Sequence, residues 1–330
     1  EDDAAKSSHE NNTTLVDFNR AGTPLIETVT EPDFKTPEEA KIFLSELRLI
    51  MRYLDVSSAD MEKGHLRCDA NISMRQVIDD PSTDAGWAQQ LNPKTEVKNI
   101  NSFRSVERAL EYEIKRQTAY WKEHGQPIPE SSTRGWNETK GITEAQRAKE
   151  ASHDYRYFPE PDLPPMELTD LAEKLKNTIP ELPAGKRLRF VEEYGLNPSA
   201  AITLVEDKHL ANYTERVISE LVAWLSSLDS VEGSEDEIWD KHKNQLSKLV
   251  SGWLLTKLGG ILADKKIDWR IKPVTTENFA EFLTLLYENK INSTMGRAIL
   301  EEMVDRKIDP HQIIEEKGIT YLRCQACGIK

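Results

Sequence analysis

The chain has 330 residues, with 43 Lys and Arg against 57 Asp and Glu, a formal net charge of −14. Hydrophobic residues make up 38% and charged residues 30%, a balance that supports two or three domains with ordinary cores. No apolar run approaches the ~18 residues of a membrane span, and the acidic balance excludes a simple cationic nucleic-acid binder.

The charge is unevenly placed. Residues 1–165 and 166–240 each carry a net −9, whereas residues 241–330 carry +4. Three cysteines, Cys68, Cys324 and Cys327, exclude a disulfide framework and fit a reducing compartment. Cys324 and Cys327 form a single CxxC, a zinc half-site at best. The chain opens on Glu1-Asp2-Asp3 with no Met, basic leader or apolar leader. A fragment lacking its beginning is the expectation.

In chain order, the spacing predicts a strand over 24–30 after the turn Arg20-Ala21-Gly22. Thr36-Pro37-Glu38-Glu39 predicts a helix start with a capping box, and that helix runs to about Leu54. Its apolar face is expected to carry Phe43, Leu47, Ile50 and Leu54. Further strands are expected over 66–74 and 94–100, and a helix from about Ser102 with Val106, Leu110 and Ile114 buried. Irregular mixing of strands and helices points to an α+β class. The Pro-rich stretch 158–165 reads as a stiff linker. Helices follow from Leu168 to about Lys265, with an acidic break at Ser230–Asp240, and three short ones lie around 278–288, 294–305 and 310–317. No internal repeat or low-complexity tract is present.

The clearest chemical signal is the alternation over 66–75. Leu66, Cys68, Ala70, Ile72 and Met74 point one way, while Arg67, Asp69, Asn71, Ser73 and Arg75 point the other. One reading is a solvated sheet face. The other is a binding face, because it presents a guanidinium, a carboxylate and an amide at intervals of about 7 Å. Lys94, Glu96 and Lys98 share one face in the same manner. Side by side, the two strands would make a mixed-charge basin for a nucleoside triphosphate and its metal. Glu27 sits between Leu25 and Val29 on the face expected to be apolar, so it is expected either in a salt bridge or as a Mg²⁺ ligand. Glu1-Asp2-Asp3 could add a second carboxylate. There is no P-loop or Rossmann glycine signature, so any ATP chemistry uses another scaffold. His65 and His153 lie near these motifs without forming a recognisable catalytic arrangement.

Four ordered blocks, DFNRAGTPLIETVTEPD (17–33), MEKGHLRCDANISMR (61–75), KTEVKNINSF (94–103) and SHDYRYFPEPDLPP (152–165), resemble the B subunit family of the tRNA-dependent aspartyl/glutamyl amidotransferases. The resemblance continues through IPELPAGKR (179–187) into the last helices. It implies a β-rich cradle of mostly antiparallel sheet with flanking helices (1–165), an all-α helical domain (166–272) and a small helical tail that contacts tRNA (273–330). It also implies ATP- and Mg²⁺-dependent phosphorylation of the side-chain carboxylate of glutamate or aspartate misacylated onto tRNA(Gln) or tRNA(Asn). Ammonia from glutamine would then give the amide.

Carried onto this sequence, the resemblance gives Arg67, Asp69, Asn71, Glu96 and Lys98 catalytic roles, with Lys94, Arg67 and Lys98 holding the nucleotide. Glu27 and Asp2 would be Mg²⁺ ligands, Asp2 standing where Glu is usual, and Arg297 would contact tRNA. The implied partners are an amidase (glutaminase) subunit that supplies ammonia, a small third subunit of the complex and the misacylated tRNA, without a membrane. The implied setting is the cytoplasm or an organellar matrix. The second reading, from another class, is a non-catalytic tRNA-binding and assembly scaffold of the same descent. Three departures are expected: an absent N-terminal cradle portion with a His/Glu pair, an acidic insertion at 230–240, and a tail whose likeness stops at Ile319. A chain complete as written would be weakly active or inactive alone.

Overall fold

The structure is a computed structural model that describes residues 6–10, 13–19, 21–75, 91–146, 164–227 and 233–319. The chain divides into two compact units, one formed by residues 1–44 and 67–154, the other by 45–66 and 155–330. The elements are mixed α+β, as the sequence pattern predicts.

The first unit holds two sheets. An antiparallel hairpin pairs β1 (Lys6–Glu10) with β2 (Thr13–Asp17), which the sequence reading misses. The strand expected over 24–30 does not form. That segment has no regular structure beyond a bridge at Pro24 and is exposed, so Leu25, Ile26 and Val29 face solvent rather than a core. Helix α1 (Pro37–Tyr53) starts as predicted: Thr36 Oγ1 accepts from Glu39 N, and a Glu39 carboxylate oxygen accepts from Thr36 N. Its buried positions are Leu44, in the core of this unit, and Tyr53, in the core of the second; they lie on opposite flanks of the expected stripe, whose Phe43, Leu47, Ile50 and Leu54 are half-buried.

The larger sheet has the order β3 (Ala70–Ile72), β4 (Thr95–Lys98), β5 (Ser132–Asn137), β6 (Ile142–Ala145). Its outer pairs are antiparallel and β4–β5 is parallel. Strands β3 and β4 are both shorter than expected, and β4 ends where Asn99 turns the backbone left-handed (φ 63°). Between β4 and β5 runs α2 (Phe103–His124), capped by Ser102 and closed by Gly125 in the left-handed region. The helix places Val106, Ala109 and Leu110 on one sheet face, where they share a core with Ala70, Val97 and Trp136. Ile114 is only half-buried, and the stripe continues instead through Glu113 and Gln117.

The second unit is helical beyond residue 168: α3 (Thr169–Lys176), α4 (Pro183–Glu192), α5 (Pro198–Val205), α6 (Lys208–Ser226), α7 (Glu235–Gly252), α8 (Gly259–Lys265), α9 (Thr276–Tyr287), α10 (Ser293–Arg306) and α11 (Pro310–Glu316). The acidic break is shorter than expected, because Ser234 and Glu237 form a capping box that starts α7. Six residues of π-type winding, Trp253–Leu258, join α7 to α8. One apolar cluster runs from Phe190 through α6, α7 and α9 to Ile314, so the last three helices share buried contacts with those before them. The linker residues 158–163 lie outside the described residues, as do His153, Cys324 and Cys327. Among the described residues no helix is long and apolar enough to cross a membrane.

Candidate functional site

The two chemical strands of the sequence are neighbours. Asn71 faces Glu96 and Ala70 faces Val97 across the β3–β4 ladder. Period-two alternation sends Ala70, Thr95 and Val97 into the α2 core and leaves Asp69, Asn71, Glu96 and Lys98 on the open face. Lys98 Nζ lies 3.0 Å from Asp69 and 3.1 Å from Glu96, bridging two carboxylates. Burial alone would lower the Lys98 pKa. Hydrogen bonds to Asp69 and Glu96 outweigh it and hold the pKa above the usual lysine value. The ammonium is therefore firmly charged and fixed in place.

Strands β5 and β6 extend this face. Register places Lys98 beside Gly135 and Gly135 beside Glu144, while Glu96 pairs with Thr133, whose hydroxyl donates to it at 3.2 Å. Neither strand is read from the sequence. Their signal was the Trp136-Asn137 run, followed after Glu138-Thr139-Lys140 by Gly141 with positive φ, a hairpin loop between two short strands.

The opposite face is anchored by a buried carboxylate. Glu113 on α2 is fully buried and takes hydrogen bonds from Arg116, Gln117 and Thr143, with Arg134 Nε 3.3 Å away. Burial pushes its pKa up. The hydrogen bonds from Arg116 and Thr143 and the Arg116 charge win, holding it below the usual glutamate value. Sequence reading missed this position, because a carboxylate on an apolar stripe looks like a solvent-facing residue until the two arginines converge on it.

The other expected residues are dispersed. Arg67 is exposed and makes no hydrogen bond or ion pair with the described residues, and Lys94 is likewise exposed ahead of β4. Glu27 is exposed in the irregular segment, so the expected apolar surroundings are absent, and no ion pair with the described residues holds it. Asp2 lies outside the described residues. Arg297 sits on α10 in the second unit, 3.1 Å from Glu301. Among the described residues no group of three or more His, Cys, Asp or Glu is arranged to hold a metal ion. Asp69 and Glu96 are already spanned by a lysine, so this donor set does not fit a Mg²⁺ cage by itself.

A family model described as the GatB/GatE catalytic domain matches residues 1–173, and one described as the GatB domain matches residues 236–326. The chain belongs to the GatB/GatE family. The second match runs beyond Ile319, which corrects the expectation that the likeness stops there. Curated relatives of this GatB-family chain are named as the B subunit of aspartyl/glutamyl-tRNA(Asn/Gln) amidotransferase. They include proteins of Thermotoga maritima (41% identical over 329 residues) and Thermoanaerobacter sp. strain X514 (40% over 324), each match covering 98% of this chain and 61% of the relative. A Persephonella marina relative is 39% identical over 320 residues, covering 97% and 60%. The chain thus spans about three fifths of the length of these curated relatives.

Proposed function

We propose that this chain is the carboxylate-activating part of the B subunit of a tRNA-dependent amidotransferase. In this reading a side-chain carboxylate oxygen of glutamate or aspartate, esterified to tRNA(Gln) or tRNA(Asn), attacks the γ-phosphorus of ATP. The products are an acyl phosphate and ADP. Ammonia released from glutamine by an amidase (glutaminase) subunit, in a complex with a small third subunit, then displaces phosphate and leaves the amide. A free carboxylate is a poor acyl donor at neutral pH, which is why phosphorylation comes first.

The observation that carries the reading is Lys98, held charged between Asp69 and Glu96 on an open sheet face within the stretch matched by the catalytic-domain model. Phosphoryl transfer needs positioning and charge neutralisation more than covalent help. Lys98 supplies a fixed positive charge for phosphoryl oxygens. Asn71 supplies a hydrogen-bond donor on the same face, Thr133 holds the Glu96 carboxylate beside it, and Arg67 and Lys94 at its margin would hold the outer phosphates. Mg²⁺ would accompany the nucleotide, with Glu27 and Asp2 as proposed ligands. No step is assigned to the ion, since the described residues do not form a cage for it. The same reading divides the chain into a cradle (1–165), a helical domain (166–272) and a tail (273–330) with Arg297 toward tRNA.

The test is γ-phosphate release from ATP by the chain assembled with its partner subunits, with and without glutamyl-tRNA. Release stimulated by the charged tRNA supports the reading. Unstimulated release alongside intact tRNA binding would leave only the scaffold reading.

A further inference from the structure

One cross-strand row on the open face runs Asp69, Lys98, Gly135, Glu144. Three of its members carry charge and the fourth has no side chain. Strands pair about 4.8 Å apart, so Lys98 and Glu144 stand about 10 Å apart at their backbones with a gap between them. Above and beside that gap lies a depression of about 350 Å³ lined by Asn99, Gly135, Asn137, Glu138, Glu144 and Gln146, among others. A Cβ at Gly135 would come 2.5 Å from the Gln146 amide nitrogen and 3.1 Å from that of Asn99, so the absent side chain is what lets the two amides converge. Glycine inside a strand commonly marks a close approach of this kind.

The lining selects a class of ligand. One oxygen of Glu144 accepts from Lys140 at 2.8 Å and from Asn137 at 3.3 Å, while its second oxygen has no partner among the described residues. Glu138 is held by Ser105, Arg108 and Trp136. Both carboxylates are kept below the usual glutamate range, Glu138 first by hydrogen bonds from Ser105 and Trp136, Glu144 by those from Lys140 and Asn137. Arg108 and Lys140 pair these carboxylates, and the second oxygen of Glu144 is the carboxylate acceptor left open among the described residues, which favours a group that brings several donors. Half-turns of both the Asn99 and the Gln146 amide present their oxygens in place of the nitrogens. Three acceptors can then meet the three donors of an ammonium group.

The aminoacyl end of a charged tRNA carries such a group. Its α-nitrogen is four bonds from the carboxyl carbon of a glutamyl side chain, a span that fits between a cation and a carboxylate two strands apart. We infer, on the carboxylate-activation reading above, that the depression over Gly135 seats the α-ammonium of the aminoacyl group. Glu144 and the amides of Asn99 and Gln146 accept from it, and the side-chain carboxylate lies toward Lys98. Strands β5 and β6 thereby become specificity elements, not merely a support for the catalytic face.

The experiment compares glutamyl-tRNA with N-acetylglutamyl-tRNA, which lacks the charge, as stimulators of γ-phosphate release by the assembled wild-type complex and by Glu144→Gln. The wild type is expected to prefer the free amine about tenfold in kcat/KM. Glu144→Gln is expected to lose most of that preference through a higher KM for glutamyl-tRNA alone, with the KM for ATP unchanged. Equal use of both tRNAs by the wild type overturns the inference while leaving carboxylate activation standing. So does an undiminished preference in both Glu144→Gln and Gln146→Ala. Absence of any stimulation by either tRNA overturns both readings.

Discussion

Glu113 of α2 and Arg134 of β5 meet at 3.3 Å in the core of the first unit, and the glutamate side chain has no exposed surface. Their contact ties the helix to the strand that extends the candidate site. Removing one partner of a buried pair strands the other charge, at a cost of about 3 kcal/mol or more. Glu113→Ala is expected to lower the stability of this unit by about 3 kcal/mol, read as a shift of the urea midpoint. A loss below about 1 kcal/mol would mean that water reaches Arg116 and Arg134 and replaces the carboxylate.

The same residue sets an acid limit. Its folded-state pKa lies below the ordinary glutamate value because hydrogen bonds and the Arg116 charge outweigh burial. A carboxylate lowered on folding stabilises above its unfolded pKa, and that contribution is lost as pH falls from there through the folded value. Stability measured from neutral pH down to about pH 3 should therefore fall more steeply for the wild type than for Glu113→Gln. Parallel curves would show that Glu113 titrates alike in both states.

The sequence made the local features legible where a short-range rule governs them. Thr36 and Glu39 announce α1, Ser102 announces α2, and the alternation from Leu66 to Ile72 correctly assigns the inward and outward residues of β3. It could not show that β3 lies beside β4, since register is a tertiary property, yet that pairing brings Lys98 to Asp69. The strand expected at 24–30 has the right composition but no pairing partner among the described residues beyond an isolated bridge at Pro24, and its apolar residues are exposed. β-propensity describes fit to a pleated, half-buried surface and cannot create one. Gly135 and Glu144 were missed because a glycine and a turn-proximal glutamate carry no signal until register aligns them with Lys98.

In the second unit Gly296 of α10 packs where a side chain has no room. A Cβ there would come 2.8 Å from the Trp253 ring, 3.2 Å from Leu286 and 3.4 Å from Phe282. Trp253 is itself wedged edge-on against Phe282 at 5.1 Å, so the indole cannot retreat cheaply. Alanine is favoured over glycine in a helix by up to about 1 kcal/mol. Overpacking a dense core costs about 1–3 kcal/mol. Gly296→Ala is thus expected to be net destabilising in thermal melts, and a raised melting temperature would show that the π-wound segment after Trp253 shifts to make room.

Glu27 offers the opposite expectation. A carboxylate buried among Leu25 and Val29 would make its removal strongly felt, but all three are exposed here. Glu27→Ala should leave the melting temperature of the chain unchanged, as surface substitutions generally do. A clear loss of stability would place the 24–30 segment against a surface that hides it.

Lys98 carries the sharpest prediction for activity. A fixed charge aimed at a transferring phosphoryl group is worth roughly a hundredfold or more in turnover. The same charge contributes little to folding, because Lys98, Asp69 and Glu96 are each partly exposed and such pairs are worth about 0–1 kcal/mol. Lys98→Met in the assembled complex should therefore lose about a hundredfold of tRNA-stimulated phosphate release while melting near the wild-type temperature. Lys94→Ala, removing a cation that lies ahead of the strand and outside the Asp69–Lys98–Glu96 bridge, should cost far less. If both variants fall together, the site needs only overall positive charge. If Lys98→Met keeps its stimulated release, phosphoryl transfer happens elsewhere on the protein and the bridge is a surface ion pair.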